Sequence, residues 1–289
     1  MTTYKERISC ESCGHTEFDV IYDFGEVPLA GSFPKEPDAK INTYPLKIVK
    51  CKHCELVQTN TLIPPKTLFK DYRYISSVGM QNHFNEFADW LVRTQKITPN
   101  SKVLEFGCND GPLLEALKYR GIHNTIGVDP ATNIVELGRR KSLDIIDDFF
   151  NYNFAKNKEW EDKFDLILAS NTFAHIEDIN SVIKGVHYSL KPKGRFIFEV
   201  QYLVDLVDKF QFDFMYHEHL FYYTVTSLKP LLSKYNLKII DVEKVPIHCG
   251  SIRVVTTKNT SESKSEVVDG FIEMEKDYKD LSKFSTEIS

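Results

Sequence analysis

Two identical cysteine knuckles near the N-terminus, Cys10-x-x-Cys13 and Cys51-x-x-Cys54, limit what this chain can fold into more than any other feature. Two intervening residues let both sulfurs of a knuckle turn toward one ion. Two such knuckles complete a tetrahedral four-thiolate shell, with zinc–sulfur distances of about 2.3 Å. The spacing predicts a structural Zn2+ site with a closed shell, which holds a small module together and does not react. His15 and His53 sit beside the knuckles as spare ligands. Six cysteines in a chain whose opening segment, MTTYKERISCESCG, carries no apolar leader favour metal or free thiols over disulfides.

Zinc modules often read nucleic acid, but charge opposes that here. Residues 1–98 hold 12 Lys+Arg and 12 Asp+Glu, a balance of zero, and the whole chain carries −5. No basic stripe is present to neutralise phosphates, so no nucleic-acid partner is expected. No stretch approaches the roughly 18 consecutive apolar residues of a membrane span, so no membrane partner is expected and the protein reads as cytoplasmic.

The middle of the chain alternates strands and helices. SKVLEFGCNDGPLLEALKYRG (101–121) reads as strand, glycine-rich turn and helix; HNTIGVDP (123–130), LDIIDDFF (143–150), KFDLILASNTFAHI (163–176) and KGRFIFEVQYL (193–203) read as four further strands. Such alternation implies an α/β fold with a doubly wound, mostly parallel sheet, which binds ligands at the carboxyl ends of its strands. The first turn, EFGCNDG, is E-x-G-x-x-x-G rather than the G-x-G-x-x-G of a dinucleotide loop. Acidic groups repel phosphate and attract the positive charges of S-adenosylmethionine. Acids recur at three successive strand ends: Glu105, Asp129 (suited to ribose hydroxyls) and Asp148, with Phe149 beside it to cover an adenine ring.

The motifs CESCG, GEVPLAGSF, CKHCELVQ, YRYISSVGMQNHF, VLEFGCNDG, SNTFAHI, FEVQYL, YHEHLFYYT and IHCGSIR, in that order over about residues 10–257, resemble the sugar C-methyltransferases that act on nucleotide-linked keto-sugars. The resemblance implies a class I methyltransferase sheet behind a small N-terminal zinc-binding domain. The implied organisation is a zinc-binding domain over 1–75, an S-adenosylmethionine domain over 76–258, and a polar linker with an amphipathic helix over 259–289. The family's further C-terminal α/β domain is missing. Cys249 stands where the family pattern leads one to expect glycine.

The resemblance also assigns roles. The expected cofactor contacts are Glu105, Gly107, Asn109 and Gly111 in the first turn, Asp129, Asp148 and Phe149 at the next strand ends, and Asn171 after the fourth. Tyr72, Ser76 and Ser77 match a segment that closes over cofactor and acceptor. In this family the methyl acceptor is a carbon beside a ketone, nucleophilic only after losing a proton to a base. That base matches His219, an imidazole whose ordinary pKa of about 6.5 suits the task. Glu218 is expected to fix its tautomer or raise its basicity, Tyr216 to donate to the enolate or a sugar hydroxyl, and His175 to hydrogen-bond the enolate oxygen. An extended strand would point His217 away from Tyr216 and Glu218, and His219 with it; a turn is needed to bring His219 beside Glu218. His248 is open between site and structure, and Arg253 between a phosphate ligand and a surface strand residue. Cys108 and Cys249 read as small buried apolar groups, and Tyr222 and Tyr223 as core. Transfer to oxygen or nitrogen of another small molecule is the competing reading.

Overall fold

A computed structural model describes residues 4–34, 36, 38–69 and 74–288. The N-terminal module contains β1 (Lys5–Glu6), β2 (Phe18–Pro28), β3 (Thr43–Cys51), β4 (Val57–Thr59) and β5 (Thr61–Leu62). Alternation in TYPLKIVKC turns Tyr44, Leu46 and Ile48 to one buried face of β3. The strand ends on the ligand Cys51, and the knuckle reverses the chain into β4. A short helix, α1 (Pro65–Phe69), follows.

α2 (Ser77–Gln95), broken at Val78–Gly79, leads into the large sheet. Its first strands and helices alternate: β6 (Val103–Phe106), α3 (Pro112–Tyr119), β7 (Thr125–Asp129), α4 (Thr132–Arg140), β8 (Ile145–Asp147), α5 (Tyr152–Asn157), β9 (Phe164–Ser170), α6 (Ile179–Ser189) and β10 (Leu190–Gln201). α7 (Leu203–Asp208) then precedes β11 (Phe221–Tyr222), α8 (Val225–Ser233), β12 (Lys238–Val245) and β13 (Ser251–Thr257). The seven-stranded order is β12-β13-β10-β9-β6-β7-β8. β6 to β10 run parallel, and β13 is antiparallel to both its neighbours. Sequence periodicity had not separated β12 and β13, whose pairing is decided across the sheet edge. Apolar side chains cover both faces: Leu104, Phe106 and Phe196 on one, and Val103, Leu166 and Ile197 with α2 and α3 on the other.

β11 does not join this sheet. Phe221 pairs with Gln58 and Tyr222 with Val57, so the strand extends the zinc module's sheet in the order β11-β4-β3-β2. The chain's last segment crosses the same joint. α9 (Glu266–Met274) is followed by buried Glu275, which accepts hydrogen bonds from the Tyr202 hydroxyl and from the backbone N–H groups of Val225 and Thr226. Leu281 and Phe284, the latter in α10 (Ser282–Ile288), pack with Leu46, Ile48, Met215 and Tyr222. Phe284→Ala should therefore cost about 3–5 kcal/mol, read by calorimetry as a Tm several degrees lower; an unchanged Tm would mean that this helix is not docked.

Candidate active site

The carboxyl ends of β6, β7, β9 and β10 border a cavity of about 750 Å³, a size suited to small-molecule binding. Its floor is the glycine turn. Gly107 has φ +64°, and a Cβ there would lie 2.1 Å from Thr172 Cγ2, so only glycine lets the turn close against the segment after β9. Asn109, also left-handed at φ 53°, commits its side chain to neighbouring backbone. Its Oδ1 accepts from Ser76 N–H at 2.9 Å and Asp110 N–H at 3.0 Å, and its Nδ2 donates to the Tyr74 carbonyl at 3.0 Å. Ser77 N–H donates to Asp110 Oδ1 at 3.1 Å. Residues 74–77 are thus latched over the turn, with Tyr74 and Ser76 on the cavity wall and Ser77 off it. Tyr72 lies outside the described residues.

Asp129 closes β7. Its oxygens accept from Asn109 N–H at 2.8 Å and Ala131 N–H at 2.9 Å. Each oxygen keeps a lone pair for a ligand hydroxyl, and the residue faces the cavity. Burial raises its pKa, opposed by those two amides. Three further expected cofactor contacts, besides Ser77, stand off the wall. Glu105 shares the face of Val103, since strand side chains alternate; it is buried, pushed up to about 8 by desolvation, and accepts from Ser170 Oγ at 3.1 Å. Gly111 faces Leu143 and starts α3. Asp148 is exposed and accepts from the Phe149 N–H at 2.7 Å. Phe149 does line the cavity, as do Phe150 and Asn151, which the sequence reading passed over.

At the other end, MYHEHLFYY is a tight turn and not an extended strand: His219 N–H donates to the Tyr216 carbonyl at 3.0 Å. The turn sets His219 beside Tyr216 rather than Glu218. His219 Nδ1–H donates to the Phe214 carbonyl at 2.8 Å, so Nε2 carries the lone pair and accepts from the Tyr216 hydroxyl at 2.8 Å. The tautomer is therefore set by a backbone carbonyl, which no residue identity advertises. Glu218 stands off the cavity wall, its carboxyl pushed up by burial. His217 turns the other way and bonds the Pro45 carbonyl at 3.1 Å, fastening the turn to β3.

Desolvation holds His219 well below the ordinary histidine range, and His175 adds to the effect. His175 meets it edge-on with ring centroids 4.7 Å apart. Burial, then the neighbouring His248, lower His175 to about 4. Both imidazoles are consequently neutral near pH 7. His175 Nδ1 and Asn171 Oδ1 are buried with no protein hydrogen-bond partner, on residues that line the cavity. Neither atom has surface open to the cavity, and the backbone at Glu218 and Asn171 acts on the His175 ring. Arg253 is neither a surface residue nor available to a phosphate: it is buried, with Nη2 2.6 Å from Glu199, pairs also with Glu243, and lies over Phe87 and Trp90. Cys108 is buried as expected, whereas Cys249 is exposed because it rides a surface turn.

The four knuckle sulfurs lie within 4.8 Å of one another. The Cys10–Cys54 and Cys13–Cys51 pairs are each 3.5 Å apart, near the roughly 3.8 Å spacing of a tetrahedral zinc–thiolate shell. The donor set fits Zn2+. The module also reaches the cavity, whose wall includes Glu11, between two ligands, and Leu62.

Comparison with known proteins agrees with this geometry. A family model described as a methyltransferase domain matches residues 80–242, and one described as a zinc binding domain matches residues 10–69. The chain belongs to the methyltransferase-domain family and has the class I fold that uses S-adenosylmethionine, joined to a four-cysteine zinc-binding module. It is 35% identical over 250 residues to C-methyltransferase NovU of Streptomyces niveus, a match covering 85% of this chain and 59% of that protein. The chain thus spans less than two thirds of that relative's length. A ubiquinone biosynthesis O-methyltransferase of Actinobacillus pleuropneumoniae is 34% identical over 107 residues, covering 34% of this chain and 44% of the other. Among solved structures, a chain of the complex between the Haloferax volcanii Trm112 methyltransferase activator and a methyltransferase aligns with TM-score 0.51 at 16% identity, covering 62% of this chain and 92% of that one. The PH0226 protein of Pyrococcus horikoshii aligns with TM-score 0.51 at 20% identity, covering 67% and 97%. Among the described residues, no helix is long and apolar enough to cross a membrane.

Two measurements check this site. Elemental analysis should find one zinc per chain, lost in Cys51→Ala together with a cooperative thermal transition of the module. S-adenosylmethionine at 100 times its Kd should stabilise the fold by about 2.7 kcal/mol; no shift in Tm at millimolar ligand would deny the cavity that occupant.

Proposed function

We propose that this protein methylates a carbon next to the ketone of a nucleotide-linked keto-deoxy sugar. The observation that carries the proposal is the His219–Tyr216 pair, a neutral imidazole with its lone pair directed at a cavity-lining hydroxyl, beside the cavity-lining ring of His175. S-adenosylmethionine, when bound between the glycine turn, Asp129 and Phe149, supplies the methyl group as an electrophile. What remains for the chain is to make the acceptor carbon a nucleophile.

His219 Nε2 takes the proton as the acceptor displaces the Tyr216 hydroxyl, and the C–H electron pair passes into the enolate. The Phe214 carbonyl then supports the imidazolium through Nδ1–H. His175, kept neutral by burial, turns the cavity side of its ring to the enolate oxygen without competing for the proton. Tyr216, which lines the cavity beside His219, donates to the same oxygen or to a sugar hydroxyl. Asn109, Asn171 and the latched segment 74–77 position the donor, since the transfer step needs in-line placement above all. The C-methyltransferase relative supports the reaction type.

The test is solvent exchange. Wild-type enzyme with a nucleotide-linked keto-sugar in D2O should exchange the α-hydrogen and yield a product heavier by one methyl. His219→Ala should lose both by about 10²–10⁴-fold. A variant that still methylates would move the protein to oxygen or nitrogen transfer, which needs no carbon base. The pH profile follows from the same burial. A base depressed well below 6.5 is neutral throughout the neutral range, so the rate should be flat from about pH 6.5 upward and fall only at more acid pH. An acid limb centred at 6.5 would exclude this buried imidazole as the base.

A further inference from the structure

His219 must lose the proton it has taken before it can act again, and its surroundings restrict how. Nδ1 is blocked by the Phe214 carbonyl, so the proton leaves from Nε2, on the cavity side. A donor and an acceptor seated in the cavity would occupy the space in front of that nitrogen.

His248 is the group placed to receive it. It lines the same cavity as His219 and His175 and is half-buried, on a turn whose next residue, Cys249, is exposed. Its charge bears on both other imidazoles. It sits in an unusual turn, with His248 at φ 44°, Cys249 at φ 64° and Gly250 at φ 135°. Consecutive non-glycine residues in the left-handed region cost energy and persist where surrounding contacts over-determine them. Here those contacts are several. Gly250 N–H donates to the Ile247 carbonyl at 2.8 Å, Lys209 Nζ to the Cys249 carbonyl at 2.5 Å, and Tyr202 N–H to the Gly250 carbonyl at 3.2 Å. A Cβ on Gly250 would lie 2.3 Å from Asp205 Oδ2, so the turn also requires its glycine. Behind His248 stands the buried Glu199 carboxylate, paired to His83 at 2.8 Å and to Arg253. Burial, then His83, lower the pKa of His248, with Glu199 opposing them.

We propose that His248 is the proton exit of the active site: resting on the carbon-methylation reading above, it carries the proton taken by His219 to solvent. The proton passes from His219 Nε2 to His248, through His175 or an intervening water, and from His248 to bulk water; no electrons move and no co-reactant is needed.

His248→Asn is the test, because asparagine tolerates the left-handed backbone that this turn imposes. Rapid-quench methylation and solvent-deuterium exchange are measured side by side with wild type. In His248→Asn the first turnover of methyl transfer should persist at near wild-type rate. Exchange of the acceptor's α-hydrogen and the later turnovers should slow by about 10²-fold, because His219 returns the same proton instead of releasing it. Added imidazole should restore both. Unchanged exchange and steady-state rate would overturn the relay. Loss of the first turnover in a folded variant that binds S-adenosylmethionine would overturn it too, since His248 would then act on the substrate. Should His248→Asn not fold, wild-type enzyme decides: exchange that is unaffected by imidazole and limited by carbon–hydrogen cleavage, read from an α-deuterated acceptor, overturns the relay. Wild-type enzyme that neither exchanges nor methylates defeats the underlying reading instead.

Discussion

The pairing of β11 with β4 is the interaction on which the rest of the site depends. It is only two residues long, extended by Thr59 N–H donating to the Leu220 carbonyl, while Leu220 N–H donates instead to the Ala174 carbonyl after β9. Yet it fixes register, and a slip of one residue would turn every side chain of the stretch to the opposite face. His219 precedes this strand by two residues, so the register of β11 decides where its imidazole points. β4 is itself held by the knuckle that joins it to β3, with Cys51 at the end of β3 and Cys54 three residues before Val57. The order imposed by the four-cysteine centre therefore passes through one short strand pair to the turn at 216–219.

The two ends of the cavity use burial for opposite purposes. Around the glycine turn, desolvated Asp129 offers oxygens to a polar, cationic ligand while two backbone amides keep its carboxylate in place. Around the turn at 216–219, desolvation strips charge from His175 and His219, leaving neutral imidazoles that donate or accept as their tautomers dictate. A neutral cluster can take up one proton and must release it before taking another. Such a site needs an exit as much as a base.

Much of this was legible beforehand because it rests on local rules. Knuckle spacing, strand–helix alternation and the glycine turn are short-range patterns, and they located the metal ligands, the parallel strands and the loops at their carboxyl ends. Of the expected donor contacts, Gly107, Asn109, Asp129, Phe149 and Asn171 do face the cavity, while Glu105, Gly111, Asp148 and Ser77 do not. The misplacements have common causes. Strand parity turns Glu105 inward onto Ser170, Gly111 serves the helix start, and Asp148 folds onto its own backbone. Glu218 and Arg253 were misjudged because their neighbours come from distant segments.

By itself the sequence determined which chemical groups are present and which of them are near neighbours: four thiols in two knuckles, an acid after each early strand, and a cluster of histidine and tyrosine within nine residues. Only the tertiary structure decided which of these meet. The Phe214 carbonyl that selects the His219 tautomer, the β4 edge that receives Phe221 and Tyr222, and the strained turn that brings His248 into the cavity are all matters of backbone position. Backbone hydrogen-bonding groups are the same at every residue, so their placement leaves no mark in the identity of the side chains.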